Sequence, residues 1–443
     1  MTAAQRKGLW LFTAGAALFL LFGLTLQRLA TVANVDLKGV YYGTRCLLQH
    51  HDPYNEADLG RVYQAESSDY ASTPPVHRRV VTLYVNLPTT FPFIVPFAIW
   101  SWGLASTLWM SAIAVTFLTA SYLMWRLCAH SAPILGGALI ALFLCGSELL
   151  IEVGNAAGIS VSLCVIGVWC ILRNRLIPLG LVCFAISLEM KPHVAGLIWL
   201  YFLLAGGQYR KRAWQVLAVT VLLGLPGILW VSAVAPRWIP EMQANLHIIS
   251  GPGSLNDPGP ATVVPRSHGA MVVSLQTVFA VFKDDPAFYN RAAQLFCAPF
   301  LLLWAWITLR NRPNWSRASL GIAAITALSM LPIYHRQHDS RILLLTFPAC
   351  AMLWAEGGIT AWLALAVQLV GTLLTGDIPM QLLAVYDYHL HTTLSSLGDK
   401  LLTVLLARPA PLAMLLMGVF YLAVYWRRCR PNAPDAVPNT VTE

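Results

Sequence analysis

A carboxylate, Asp36, stands near the start of the stretch NVDLKGVYYGTRCLLQHHDPYN (residues 34–55), directly after the first apolar run of the chain. Three further groupings place charge beside apolar segments: Glu148, Glu152 and Asn155 around the turn EVGN, Lys191 in EMKPH, and YHRQHDSR at 334–341. The last packs His335, Arg336, His338, Asp339 and Arg341 into eight residues. Arginines of this kind suit a negatively charged partner, a phosphate or their own Asp339. His335 and Asp339 lie four residues apart, so they could hold a metal only if another segment added ligands, and no metal site is expected. Lys191 is the one basic residue between 176 and 208. An ionisable group at membrane depth costs several kcal/mol unless paired, so Lys191 reads as functional, with Glu189 as the alternative, purely structural partner. Asp36 has a structural alternative too, the N-cap of a helix.

The elements that must position these groups are membrane helices. Of 443 residues 57% are hydrophobic and 11% charged, and the mean hydropathy is +0.62. That composition excludes a soluble enzyme and describes an all-α polytopic membrane protein. The net charge of +9 comes from short basic clusters between apolar runs, which topology explains better than nucleic acid, so no nucleic-acid partner is expected. The nine cysteines carry no CxxC pair and no zinc-like spacing. They read as small core residues.

Thirteen apolar runs are visible, the first at 9–27 and the last at 408–426. The first follows Arg6 and Lys7 and exceeds a signal-peptide core, so it reads as an uncleaved span; TVA at 31–33 offers a cleavage site. Basic clusters at 125–130, 173–175, 209–212, 310–317 and 426–430 place those turns and both termini in the cytosol. An even number of crossings is then required. The run LPTTFPFIVPFAIW carries Pro88, Pro92 and Pro96 and reads as an interfacial or re-entrant segment, which leaves about 12 transmembrane helices plus interfacial helices. The pair 176–189 and 193–206 is short and reads as a hairpin of half-length helices. Residues 1–430 form one domain and 431–443 a disordered cytosolic tail. In this arrangement the loops 28–87, 235–290 and 376–407, the EVGN turn, Lys191 and YHRQHDSR share the outer face. Asp36 begins a short interfacial helix, with Leu37, Val40, Tyr41, Thr44, Leu47 and Leu48 on one side and Lys38, Tyr42, Arg45 and Gln49 on the other, stopped by Asp52-Pro53. No phosphate-cradling glycine motif and no clear internal repeat is present, which argues against a pump driven by ATP within this chain.

The order of these features resembles glycosyltransferase family 87, the bacterial α-mannosyltransferases of the C-type glycosyltransferase fold. The resemblance runs through DLKGVYYGTRCLLQHHDPYN, the proline-rich run, EVGNAAGISVSLCVIGVWCILRNRLIPLGLVCFAISLEMKPH and YHRQHDSRILLL, up to about residue 355. It implies a C-type glycosyltransferase-like helical bundle that takes a sugar, mannose in that family, from a polyprenyl-phosphate donor. The resemblance puts the family's catalytic acid on Asp36 and also matches DPY at 52–54 and KP at 191–192. GN at 154–155 stands where the family has a Gly-Gln-rich turn, and LPTTFP where it has YPP.

Such transfer needs a base for the acceptor hydroxyl and cations for the phosphate leaving group. Asp36 is then the expected base, and Lys191, Arg336, Arg341, His335 and His338 the expected phosphate partners. Tyr41, Tyr42, Arg45, Glu152, Asn155 and Asp339 are the expected substrate contacts. The expected partners are the lipid donor, a lipid or glycan acceptor and membrane lipids. A monomer without cofactor is expected, in the plasma (inner) membrane, its site facing the periplasm or outside. The rival reading is a lipid or solute carrier built around Lys191 and the Glu148/Glu152 pair.

Overall fold

The computed structural model describes residues 1–30, 33–254, 256–259, 269–390 and 396–430. The expected tail at 431–443 and parts of the loops 235–290 and 376–407 lie outside the described residues. Those residues form helices joined by turns, with no strand among them and one isolated antiparallel bridge between Val272 and Arg336. Among the described residues five helices are long and apolar enough to cross a bilayer: Ala3–Leu29, Trp102–Cys128, Gly207–Val234, Pro286–Arg310 and Ala410–Arg428. A sixth span results if Gly358–Leu374 and Asp377–Asp387, bent by 63°, count as one. The chain is thus a helical protein built for a membrane.

One apolar run that reads as a full span is broken, while the pair 176–189/193–206 and the proline-rich run form the short helices read for them. The run 133–151 splits into Pro133–Leu144 and the single turn Leu149–Glu152. Ile177–Met190 and Pro192–Ala205 have 14 residues each and meet at Lys191; at 1.5 Å per residue each is roughly 21 Å long, less than the ~30 Å hydrocarbon core. The proline-rich run becomes a 3-10 turn, Pro88–Thr90, and an eight-residue helix, Phe91–Ala98. That helix is too short to cross.

Helix directions sort the charges. Ala157–Arg173 begins beside Asn155 and ends at Arg173, Ile177–Met190 returns to Lys191, and Trp315–Ser329 climbs from Arg317 toward Tyr334. Arg310 and Arg428 likewise close their helices. The basic turns therefore gather at one end of the bundle, and Asp36, Asn155, Lys191 and the 334–341 segment at the other.

Close packing of small residues joins the first helix to its neighbour. Gly8, Gly15 and Gly23 face Pro133, Ala141 and Ile151 in that order, so the two segments run parallel. Gly137 is a tight point, since a Cβ there would lie 2.2 Å from the Gly8 carbonyl oxygen. Small residues let membrane helix backbones approach this closely. Gly137→Val is expected to lower the thermal midpoint in detergent, by about 1–3 kcal/mol of overpacking. Gly103→Val, where nothing lies within 4 Å, should not. Equal midpoints for the two variants would show that this contact does not set the helix pair.

Candidate active site

Val35–Leu48 is the element that carries Asp36, and its start is built by another segment. Asn34 adopts a left-handed backbone (φ 57°) and its side chain caps nothing within the helix. Instead the Asn34 N–H donates to the Glu152 carbonyl (2.9 Å), and those of Asp36 and Leu37 donate to the Val153 carbonyl (3.1 and 3.4 Å). Asp36 thus lies in the first helical turn and is not the N-cap, leaving its carboxylate free for other partners. The helix stops at Gln49 before a left-handed His50, ahead of Asp52-Pro53.

Oδ2 of Asp36 accepts from Asn155 Nδ2 at 2.7 Å. Asn155 is held in turn, because its Oδ1 accepts from the Ala157 N–H at 2.7 Å, at the start of the next helix. That bond fixes the amide, so Nδ2 faces both Asp36 and His338 Nε2, 3.2 Å away. His338 Nε2 therefore presents a lone pair. Burial pushes the His338 pKa well down, which agrees with a neutral ring. Burial pushes the Asp36 carboxyl up from the ordinary carboxylate value, while Asn155, Arg336 and Lys191 pull it back.

Opposite Asp36 stand two cations. Lys191 Nζ donates to Asp339 Oδ1 at 2.8 Å, and the Arg336 backbone N–H donates to Asp339 Oδ2 at 3.1 Å. Burial disfavours the Asp339 anion, but the Lys191 ammonium beside it outweighs that and holds the carboxyl well below the usual range. The Arg336 guanidinium has no carboxylate partner among the described residues; Nη2 reaches Met271 Sδ at 3.7 Å and the buried Nε has no hydrogen-bond partner. It is a half-buried cation with no ion pair among the described residues, near the Asp36 carboxyl and the Tyr334 hydroxyl.

These groups line a cavity of about 450 Å³, a size typical of small-ligand sites. Asp36, Asn155, Lys191, Arg336, His338 and Asp339 all reach it. His193, Tyr334 and Asn256 join them without having been expected; Tyr334 Oη donates to Asn256 Oδ1 at 2.6 Å. The remaining wall is largely aliphatic, with Val80, Val81, Leu83 and Val85 on one side and Met242, Leu246 and Ile249 on another. The helix Trp238–Ile249 that bears the last three also exposes Ile239 and Ile248. One cavity thus offers two carboxylates, of which Asp339 is paired with Lys191, two cations and an apolar trough.

Other expected site residues lie elsewhere. Arg341 is fully buried outside the cavity, where Nη2 donates to Asp377 Oδ1 and to the Thr375 carbonyl, both at 2.8 Å. The Asp339–Thr346 3-10 segment turns its side chain inward, so Arg341 is no phosphate partner. His335 packs behind His193, with ring centroids 5.1 Å apart and Nδ1 at 3.0 Å from the Ile333 carbonyl oxygen. Tyr41 donates to the Trp100 carbonyl (2.9 Å), Tyr42 stacks on Trp102, and Arg45 grips both oxygens of Glu66 at 2.9 Å. Contrary to a two-faced interfacial helix, Val35–Leu48 is covered nearly all round, and even Lys38 is buried against Asp69 and Trp102. Glu152 contributes its carbonyl to Asn34 and does not line the cavity. Among the described residues no group of three His, Cys, Asp or Glu could hold a metal ion.

The Arg341–Asp377 pair is expected to act in folding. Asp377 Oδ2 also accepts from the Leu149 N–H at 2.8 Å, and removing one member of a buried pair typically costs about 3–5 kcal/mol. Arg341→Leu should lower the thermal midpoint sharply, and Arg341→Leu/Asp377→Leu should recover much of it. A double variant no better than the single one would contradict the assignment. No family model, curated protein or solved structure matches this chain.

Proposed function

We propose that this chain is a polytopic membrane glycosyltransferase of the C-type glycosyltransferase-like kind, related to family 87, which moves a sugar, mannose by that resemblance, from a polyprenyl-phosphate donor to a lipid or glycan acceptor. The observation that carries the reading is the cavity itself, whose lining combines Asp36, the nearby guanidinium of Arg336 and a set of aliphatic side chains. In this reading the acceptor hydroxyl oxygen attacks the anomeric carbon, the bond from that carbon to the phosphate oxygen breaks, and polyprenyl phosphate leaves with the electron pair. The hydroxyl proton passes to Asp36. Direct displacement inverts the centre, so a β-linked donor gives an α-linked product.

Each side chain has a part in this scheme. A carboxyl raised by burial is a stronger base than an ordinary one, which suits proton abstraction. Arg336 is the principal phosphate partner because its charge is not spent on a carboxylate, whereas Lys191 shares its charge with Asp339. The prenyl chain lies along Val80, Val81 and Leu83 and against the Trp238–Ile249 helix. About twelve passes between the two ends of the bundle, with the short helices serving as spans, and a site on the outer face of the plasma membrane complete the proposal. A carrier would instead place its binding groups near mid-bundle, whereas these lie where several helices begin or end.

Asp36→Asn should keep the fold and lower transfer by at least ~10²-fold, the lower range for loss of a general base. Native transfer should rise with pH along an acid limb whose midpoint lies above the ordinary carboxylate value of about 3.9. Because the Asn155 hydrogen bond favours the ionised form of Asp36, Asn155→Ala should move that midpoint to still higher pH. Near-native turnover by Asp36→Asn, or a midpoint moved down by Asn155→Ala, would sink the base assignment. The donor class is tested with purified protein in detergent, offered either a polyprenyl-phosphate sugar or a nucleotide sugar. Transfer is expected with the first alone, and activity on a nucleotide sugar free of any lipid carrier would refute the mechanism.

A further inference from the structure

At the end of the bundle away from the cavity, four basic side chains converge from two helix ends and two turns. Arg126 closes Trp102–Cys128, Arg173 closes Ala157–Arg173, His130 follows the first and Arg175 the second. Arg173 lies close enough to both Arg126 and Arg175, and His130 to both Arg126 and Arg173, for their charges to act on one another. None of the four forms an ion pair with a carboxylate among the described residues. Buried cations of the chain are compensated, as in Lys38–Asp69, Arg341–Asp377 and Arg408–Asp387. The ends of two helices favour cations there through their dipoles, but three neighbouring arginines call for an anion, with the His130 ring beside them.

An apolar strip begins beside them. Leu176 is 64% exposed, and Leu179 and Val182, three residues apart on Ile177–Met190, are 50% and 41% exposed. Residues at that spacing share one helix face. The strip runs from the basic cluster toward the cavity end, along the direction a lipid chain would take from its head group. Ala157–Arg173 separates the cluster from Asn155 by 17 residues, roughly 25 Å at 1.5 Å per residue. The cluster and the cavity are therefore different places.

We propose that Arg126, His130, Arg173 and Arg175 form a binding site for the phosphate head group of an anionic phospholipid, whose acyl chain lies along Leu176, Leu179 and Val182. A free phosphate would use the cations alone, whereas a phospholipid uses both cluster and strip. The apolar strip favours the lipid. The site does not depend on the transferase reading and needs no turnover to be tested.

The test uses the purified full chain, stripped of lipid and exposed to equal amounts of phosphatidylglycerol and phosphatidylcholine, with bound lipids counted by native mass spectrometry. Phosphatidylglycerol should be retained in preference by about tenfold or more, since each basic residue near an anionic lipid contributes about a fivefold gain. Arg126→Gln/Arg175→Gln, which alters two exposed residues, should reduce that preference strongly, and adding Arg173→Gln should abolish it. Arg210→Gln/Lys211→Gln, in another basic turn, should leave it intact. Thermal midpoints establish that each variant is folded. Absence of a preference in the native chain, its persistence in the triple variant, or equal loss in the Arg210/Lys211 variant would overturn the proposal. Displacement of the lipid by millimolar inorganic phosphate would also overturn it, by showing a simple anion site.

Discussion

Three N–H groups at the start of Val35–Leu48 donate to the carbonyls of Glu152 and Val153, and most of the site depends on that junction. A helix start leaves its first N–H groups without intrahelical partners. Here backbone from a distant turn supplies them, so the helix cannot move without moving the turn. Asn155 lies two residues beyond Val153 and returns the contact by donating to Asp36. Its Oδ1 simultaneously accepts from the first turn of Ala157–Arg173. One asparagine thereby ties the carboxylate to the helix that runs the length of the bundle.

Charge compensation shapes the rest. Ionised groups removed from water are expensive unless paired, and the buried cations Lys38, Arg341 and Arg408 each have a carboxylate. Lys191 has Asp339. Arg336 breaks the pattern, since its backbone holds Asp339 while its guanidinium is left to the cavity. A half-buried cation with no ion pair among the described residues is costly to maintain, and under the proposed function the donor phosphate offsets that cost. The same contrast, paired cations in the core and unpaired ones at a surface, marks the cluster around Arg173.

Composition, apolar runs and basic turns act locally, which is why the membrane class and much of the polar site are legible in the sequence. Asp36, Asn155, Lys191, Arg336, His338 and Asp339 all reach one cavity. Arg341 cannot be separated from Arg336 by inspection, since its partner Asp377 lies 36 residues on and the pairing exists only after folding. Tyr41, Tyr42 and Arg45 are misplaced by the sequence for another reason: spacing suggests a helix with one exposed face, but tertiary packing covers Lys38 and Tyr42 as well. His193 stands beside Lys191 in EMKPH, and its place at the start of an apolar helix is the available signal. Tyr334 and Asn256 carry none, because their contact joins segments 78 residues apart.

Helix length is the least legible property. An apolar run of about 19 residues reads as a span whether or not its backbone is continuous, and 133–151 breaks after Leu144 all the same. The short Leu149–Glu152 turn and the residues after it bend the chain so that the Glu152 and Val153 carbonyls point at the start of Val35–Leu48. In an unbroken helix those carbonyls would accept from N–H groups four residues on and could not anchor another segment. The interruption that makes this run a poor span is therefore what fixes Asp36 against the cavity.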